Sequence, residues 1–248
     1  MRILAALGLL GAAAAAQAES LRFTSGSAQV ALVELYTSEG CSSCPPADRW
    51  LASLRSQPGL WTEFVPVEFH VDYWNGLGWK DRLSSRSFTA RQYAYATSWK
   101  SGSVYTPCFV RNGAEWKPAW GGSGAPAGRA GILAIQVGEG GLCYAEFRPA
   151  AGGGPDGGAY VVHLALLGGG ISSRVTAGEN DGATLTHEFA ALGISEADLA
   201  RDEGGLILRA RAVIPQPSVP DARRLALAAW VTRRGELAPV QATGGWLR

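Results

Sequence analysis

A Cys-Ser-Ser-Cys sequence between an apolar run and a pair of prolines constrains the fold more than any other feature. The run over residues 29–36 (QVALVELY) is typical of a buried strand. Cys41 and Cys44 follow after a four-residue turn, and two prolines come next. Prolines fit the first turn of a helix, where a missing N–H has no partner to lose. The pattern predicts a strand, a turn with two cysteines, and a helix over residues 47–54.

The spacing of these two cysteines is typical of redox chemistry. At a helix N-terminus, unpaired N–H groups and the helix dipole stabilise a thiolate, so Cys41 is the candidate nucleophile that attacks a disulfide. Cys44, one turn further on, is the candidate thiol that resolves the mixed disulfide. A structural disulfide or half of a metal site would have the same spacing, and both alternatives stay open.

The first 18 residues (1–18) predict a cleaved signal peptide. Arg2 gives a positive start, residues 3–16 are apolar and rich in alanine, and Ala16 and Ala18 form a small-x-small cleavage pattern. The apolar run is too short for a membrane span, so we expect no stable span after cleavage. The mature chain is therefore expected to be periplasmic or secreted, where thiols are oxidised.

Charge and composition argue against some function classes. The chain is 47% hydrophobic and 17% charged, as expected for a protein with a packed core. Removal of Arg2 leaves 21 of the 22 basic residues against 21 acidic residues. Such a neutral chain, with no basic cluster, argues against nucleic acid as a partner. No cofactor is predicted.

The order of elements in the first half predicts an α/β domain over residues 19–137. The apolar run at 64–71 predicts a second strand, and helical spacing predicts a helix over 84–100. A strand hairpin follows, with its turn at the Asn-Gly pair 112–113. Small residues over 124–137 predict a last helix. The first two strands are expected to be parallel because a helix connects them.

The Gly-rich sequence from residue 138 begins a β-rich pattern, so we place a second domain at residues 138–248. Only residues 195–201 have a helical pattern there. Alternation and turn residues elsewhere predict an antiparallel β-sandwich-like domain. Its strand-like segments are residues 142–148, 159–167, 206–214 and 224–232.

Several groups of residues form a specific set of motifs: residues 33–48, 70–75 with 78–79, 91–92, 104–107, 178–180 with 182, and 186–187. This set resembles a bacterial secreted thioredoxin-like family catalogued as domain of unknown function 1223. The resemblance implies an α/β thioredoxin-like domain followed by a β-rich C-terminal domain. It implies no substrate, because the function of that family is not established.

The wider thioredoxin fold implies roles for two further residues. Pro107 resembles the cis-proline that faces the cysteine pair; the alternative is a trans proline in an ordinary strand. Glu34 resembles the buried acid that accepts the proton of the second cysteine. It lies seven residues before Cys41, one more than in typical thioredoxins. The alternative is a glutamate paired at a strand end.

The other two cysteines allow two interpretations. Cys108 and Cys143 lie in predicted strands, 35 positions apart. Cys108 departs from the family pattern, in which glutamine commonly follows Tyr-Thr-Pro. The pair either forms a disulfide, within the first domain or between the two, or stays as two buried thiols.

The three histidines are candidates for different roles. His70, at the end of the second strand, is a candidate proton shuttle or copper ligand, or else a satisfied polar residue. His163 lies within an apolar strand and is interpreted as structural. His187 is expected to form a polar cluster with Glu179 and Asn180, or a network that stabilises a loop.

Three functions compete. The first is a thiol–disulfide oxidoreductase acting on exported protein or small-molecule disulfides with an unidentified redox partner. The second is a copper(I)-binding module or metallochaperone with Cys41, Cys44 and His70 as ligands. The third is a binding protein in which the disulfide is structural. The first and second differ in whether His70 reaches the sulfurs, and the first and third in whether Cys41 is exposed.

Overall fold

The computed structural model describes residues 21–117, 128–150 and 159–247. The predicted signal peptide, residues 1–18, lies outside the described residues. No helix in the described ranges has the length and apolar character needed to cross a membrane.

Two α-helices and fourteen strands follow one another in the described residues. In chain order they are β1 (Leu21–Thr24), β2 (Ala31–Thr37), α1 (Pro45–Ser53), β3 (Phe64–His70), α2 (Arg86–Ser98), β4 (Cys108–Arg111), β5 (Ala114–Trp116), β6 (Gly131–Val137), β7 (Leu142–Pro149), β8 (Tyr160–Gly169), β9 (Ile171–Arg174), β10 (Thr184–His187), β11 (Ala190–Arg201), β12 (Leu208–Val213), β13 (Arg224–Arg233) and β14 (Pro239–Leu247).

Twelve of these strands form one mixed sheet. Its main path runs β1-β6-β7-β12-β11-β3-β2-β4-β5, while β8 pairs with β11 and β13, and β13 pairs with β14. Strands β9 and β10 form a separate two-stranded sheet. The predicted fold class, an α/β thioredoxin-like domain followed by an antiparallel β-sandwich-like domain, is therefore wrong. One large sheet with two short helices replaces it.

Strand β11 is the physical reason for this difference. It pairs with β8 over residues 190–199 and with β12 over residues 200–201, and its first residue, Ala190, pairs in parallel with Glu68 of β3. The helix predicted at 195–201 is therefore wrong, because pairing along two neighbouring strands overrides local helical preference.

The helix predicted over 124–137 is also wrong within the described residues. Gly131–Val137 is strand β6, which lies between β1 and β7. The segment starts at Gly131 with φ of +103°, and a Cβ there would lie 2.8 Å from the Pro149 Cα. Only glycine tolerates that conformation and that contact.

The predicted elements around the cysteines are confirmed. Strands β2 and β3 are parallel and joined through α1. Helix α2 begins after Ser85, whose hydroxyl accepts a hydrogen bond from the Ser87 N–H. The β4–β5 hairpin turns at Asn112 and Gly113, both with positive φ. Positive φ at both central residues is the reason Asn-Gly favours such turns.

The main hydrophobic core contains residues from both halves of the chain. Leu35 of β2 and Phe69 of β3 share it with Ala165 of β8 and Trp230 of β13, all fully buried. This core has members on both sides of the predicted boundary between residues 19–137 and 138–248, and those bounds stay a prediction. Cys108 lies in this core, whereas Cys143 lies in a second core.

The predicted disulfide between Cys108 and Cys143 is wrong, and the alternative of two buried thiols is found. Both cysteines are free and buried. Strands β4 and β7 are five steps apart in the sheet. The two cysteines also lie in separate hydrophobic cores.

We expect both thiols to resist alkylation in the folded protein at about pH 8. Burial raises the pKa of each thiol to about 11, so neither supplies much thiolate. Mass spectrometry after alkylation without reductant should find both unmodified in folded protein and both modified in guanidinium. Recovery of a peptide pair joined through Cys108 and Cys143 would contradict this.

Candidate functional site

The Cys41–Cys44 disulfide lies between β2 and α1. The two Cα atoms are 5.4 Å apart, and Cys44 is the residue that caps α1, with a proline at the start of the helix. The Cys41 Sγ is 3.3 Å from the Ser43 Oγ. Ser42 and Ser43 are exposed, but only 1% of Cys41 and none of Cys44 is accessible to solvent. In this state the serines face solvent and the sulfurs do not.

A turn from the second half of the chain is hydrogen-bonded to the segment that carries the two cysteines, residues 38–44, which we name the cysteine turn. The Asn180 side-chain amide donates to the backbone carbonyls of Glu39 and Cys41, each at 2.9 Å. The Ser42 N–H donates to the Glu179 carboxylate at 2.9 Å, and this bond lowers the pKa of Glu179. We name residues 178–180 the covering turn, because its side chains bond the backbone on both sides of Cys41.

The aromatic loop over residues 72–79 contacts both the cysteine turn and Thr106, the residue before Pro107. The Trp74 indole N–H donates to the Thr106 hydroxyl at 2.8 Å, and a Cβ on Gly40 would lie 3.1 Å from the Trp74 Cβ. The predicted cis bond between Thr106 and Pro107 is confirmed. The loop residues Tyr73 and Leu77 and the nearby Tyr105 are exposed.

Glu34 has contacts of a different kind from those of the cysteines. Its carboxylate accepts hydrogen bonds from Arg91 at 2.6 Å, from Tyr36 at 2.8 Å and from Tyr95 at 3.0 Å. The Arg91 guanidinium also lies 5.2 Å from the centre of the Trp230 ring. These contacts match the alternative interpretation, an ion-paired glutamate, and the role of Glu34 as proton acceptor stays a prediction.

Five buried ionisable residues form a cluster beneath the cysteine turn. His70 contacts Asp81 through Nδ1 at 2.6 Å and Glu68 through Nε2 at 3.0 Å. His187 contacts Glu68 through Nδ1 at 2.8 Å, and its Nε2 is 3.4 Å from Glu39 Oε1. Both nitrogens of His70 therefore face carboxylates, and the alternative role of His70 as a copper ligand beside the two sulfurs stays a prediction.

The cluster is tied directly to the chain segment that leads into Cys41. The Glu39 N–H donates to Asp81 at 2.9 Å, and the Trp79 indole N–H donates to the Glu39 carboxylate at 2.7 Å. Asp48 of α1, also buried, accepts a hydrogen bond from Thr37 at 2.6 Å. The cluster is therefore hydrogen-bonded to the backbone two residues before Cys41.

Burial and mutual contact shift the pKa values in this region. Burial acts to lower the pKa of both histidines, but the carboxylates outweigh it: Asp81 and Glu68 hold the pKa of His70 well above its ordinary value, and Glu68 and Glu39 raise that of His187 to about 9. Burial acts in the opposite sense on the acids, yet the histidines lower the pKa values of Glu39, Glu68 and Asp81. Burial and the Glu68 charge raise the pKa of Asp48 to about 7.

The polar cluster expected for His187 with Glu179 and Asn180 does not form. His187 instead joins Glu68 and Glu39, while the other two residues bond the cysteine turn. Sequence reasoning missed Glu39, Glu68 and Asp81 as members of a site. One signal was present: Glu68 and His70 occupy alternate positions of an otherwise apolar strand, so both face the same side.

His163 matches its structural interpretation. Its ring stacks on Trp230 with centres 5.2 Å apart, and Nε2 is 3.0 Å from the Thr232 hydroxyl. Burial, with a smaller effect of the Arg91 charge, lowers its pKa to about 3. A neutral histidine packed on tryptophan belongs to the core and not to the candidate site.

The fold is similar to two solved structures. Protein AGR_C_4864 from Agrobacterium tumefaciens is 22% identical, with 87% of this chain and 94% of that chain covered and a TM-score of 0.60. HBP35 of Porphyromonas gingivalis is 14% identical, with 90% and 76% covered and a TM-score of 0.61. At these identities the similarity shows the fold alone. No curated protein sequence matches the chain.

A family model described as "Protein of unknown function (DUF1223)" matches residues 32–231. The matched range contains both cysteines of the disulfide, the covering turn and all five residues of the buried cluster. It also confirms the resemblance to domain of unknown function 1223 found in the sequence motifs. The chain belongs to the DUF1223 family.

Proposed function

We propose that this protein is a thiol–disulfide oxidoreductase that works through Cys41 and Cys44. It acts after export, in the periplasm or outside the cell, on protein or small-molecule disulfides together with a separate redox partner. One observation carries the proposal: the Cys41–Cys44 disulfide is placed directly before the first turn of α1. The dipole of a helix start favours a thiolate there.

The proposed reaction exchanges one disulfide for another. The Cys41 thiolate attacks a substrate disulfide, forms a mixed disulfide and releases one substrate thiolate. Cys44 loses its proton and attacks the Cys41 sulfur, which releases the second substrate thiolate and forms the Cys41–Cys44 bond. Two electrons pass to the substrate, and the reverse sequence oxidises a dithiol. The exposed Tyr73, Leu77 and Tyr105 supply an apolar surface for substrate beside the cysteine turn.

The burial of the disulfide favours a second candidate function. Only 1% of Cys41 is accessible and the covering turn bonds its backbone, as expected for a structural crosslink in a binding protein. The oxidoreductase needs the covering turn to open before a substrate can reach Cys41. The structural crosslink needs no such motion.

The reduction potential of the Cys41–Cys44 pair separates these two functions. We expect a potential above about −300 mV, because structural disulfides lie below about that value. The protein is equilibrated in glutathione buffers of known potential. Mass spectrometry after alkylation then measures the fraction of protein in which the Cys41–Cys44 pair is oxidised. In addition, Cys44→Ser should trap a mixed disulfide with a peptide disulfide substrate through Cys41.

Two variants serve as controls for that trap. Cys41→Ser should trap no substrate, because the attacking thiol is absent, and Cys108→Ser should react like the wild type. A potential below about −300 mV together with no trapped adduct would overturn the oxidoreductase and leave the structural crosslink.

A further inference from the structure

Strand register brings two histidines and a carboxylate together in the core. Glu68 and His70 are two positions apart on β3 and face the same side. The Glu68 N–H donates to the Phe189 carbonyl at 2.9 Å, and Ala190 pairs with Glu68. His187 ends β10 just before this contact, so the register places its ring beside the Glu68 side chain.

The atoms of these three side chains converge as metal ligands do. Glu68 Oε1 is 3.0 Å from His70 Nε2 and 2.8 Å from His187 Nδ1, and the three atoms lie within 4.8 Å of one another. The imidazole rings stand nearly perpendicular, at 81°. Ligand atoms at about 2.0–2.2 Å from a tetrahedral Zn²⁺ lie about 3.3–3.6 Å apart, so both contacts of Glu68 Oε1 would lengthen to admit the ion.

The second nitrogen of each histidine faces a carboxylate. His70 Nδ1 is 2.6 Å from Asp81, and His187 Nε2 is 3.4 Å from Glu39. Histidines that bind a metal almost always present their other N–H to such an acceptor, which fixes the tautomer and the ring orientation. His70 meets this condition with a hydrogen bond, whereas His187 Nε2 lies near Glu39 Oε1 without forming one.

The second oxygen of the Glu68 carboxylate is buried and has no hydrogen-bond partner in the described part of the chain. The residue as a whole is also fully buried. An unpaired buried carboxylate oxygen is costly, and bidentate binding of a cation would satisfy it.

We propose that Glu68, His70 and His187 bind one divalent transition-metal ion of the Zn²⁺ type, with Asp81 and Glu39 as positioning residues. A mixed nitrogen and oxygen ligand set suits Zn²⁺ and its neighbours in the first transition row. Because the ligands are fully buried, the site is structural and links β3 to the β10–β11 connection. It is independent of the redox proposal, which needs the cysteines alone.

The experiment uses the full mature chain with its Cys41–Cys44 disulfide oxidised, so that thiolates cannot bind the metal. We expect the protein purified without chelator to contain one equivalent of metal by mass spectrometry. Replacement with Co²⁺ should give visible d–d absorption, and X-ray absorption should show two imidazoles and no sulfur. Strong chelation should lower the melting temperature.

Matched variants assign the site. Glu68→Gln should lose the Co²⁺ spectrum, and Asp81→Asn should weaken binding by about 10- to 100-fold, as changes in outer partners do. His163→Gln, a buried histidine outside the cluster, should bind like the wild type. If Glu68→Gln does not fold, the X-ray absorption spectrum of the wild type decides.

Two results would overturn the proposal. In one, folded wild-type protein binds neither Zn²⁺ nor Co²⁺. Protonated histidines, and not a metal ion, would then offset the charges of the carboxylates. In the other, binding persists in folded Glu68→Gln or the spectrum shows sulfur ligands, so the metal lies elsewhere.

Discussion

Replacement of Glu34 by glutamine is expected to lower the free energy of unfolding by about 3–5 kcal/mol, the usual cost of removing one partner of a buried ion pair. The Arg91 side chain is largely buried, and Glu34 supplies the only carboxylate within ion-pair distance of it among the described residues. Glutamine keeps the shape but leaves the guanidinium charge uncompensated. The faces of Phe69, Tyr95 and Trp230 around Arg91 attract a cation but offer no counter-charge.

Chemical denaturation of three variants tests this expectation. In Glu34→Gln/Arg91→Met both charges are gone, so we expect a smaller loss of stability than in Glu34→Gln alone. Asp198→Asn removes an exposed ion pair with Arg234 and should cost less than about 1 kcal/mol. Equal losses in Glu34→Gln and Asp198→Asn would contradict the prediction.

The same variant addresses the redox role predicted for Glu34. If the carboxylate only balances Arg91, the alkylation rate of reduced Cys44 should have the same pH profile in Glu34→Gln as in the wild type. A displaced profile would instead support Glu34 as the acceptor of the cysteine proton.

Local sequence predicts the fold well where neighbours along the chain decide the conformation. The apolar run before Cys41, the prolines after Cys44 and the Asn112-Gly113 turn each act within a few residues. Prolines suit a helix start, and Asn-Gly suits positive φ. These segments form β2, α1 and the β4–β5 hairpin as predicted.

Strand β11 shows why the rest was missed. Its sequence AALGISEADLAR contains good helix formers, yet β8 and β12 impose an extended chain. These partners lie elsewhere in the sequence, so periodicity within the segment cannot reveal them. The strand then joins both halves in one sheet, which the predicted fold class of an α/β domain followed by a separate β-sandwich did not include.

The buried cluster was missed for a related reason. Glu68 and His187, its central pair, are 119 positions apart and meet only through the β3–β11 contact. Glu39 and Asp81 lie in loops without a spacing motif. From the sequence, His70 was a candidate proton shuttle, copper ligand or satisfied polar residue. Only the tertiary structure shows which carboxylates it contacts.

Replacement of Asn180 by alanine is expected to accelerate reduction of the Cys41–Cys44 disulfide by dithiothreitol about 30-fold. The Asn180 amide makes two hydrogen bonds to the cysteine turn, at about 1 kcal/mol each. Their loss makes opening of the covering turn easier by about 2 kcal/mol, and every 1.4 kcal/mol is about tenfold in an equilibrium constant. Because Cys41 is almost fully buried, its reaction rate follows the open population.

The control for this experiment is Asp181→Ala, which removes an exposed side chain next to the covering turn and leaves both bonds to the cysteine turn intact. Its reduction rate should equal that of the wild type. The free energy of unfolding of each variant must be measured in parallel, because global unfolding would also expose the sulfurs. If Asn180→Ala is reduced at the wild-type rate while its stability is unchanged, the covering turn does not control access to Cys41. An oxidoreductase would then need another path to that sulfur. A faster rate would instead show that the covering turn, in the second half of the chain, controls access to the disulfide.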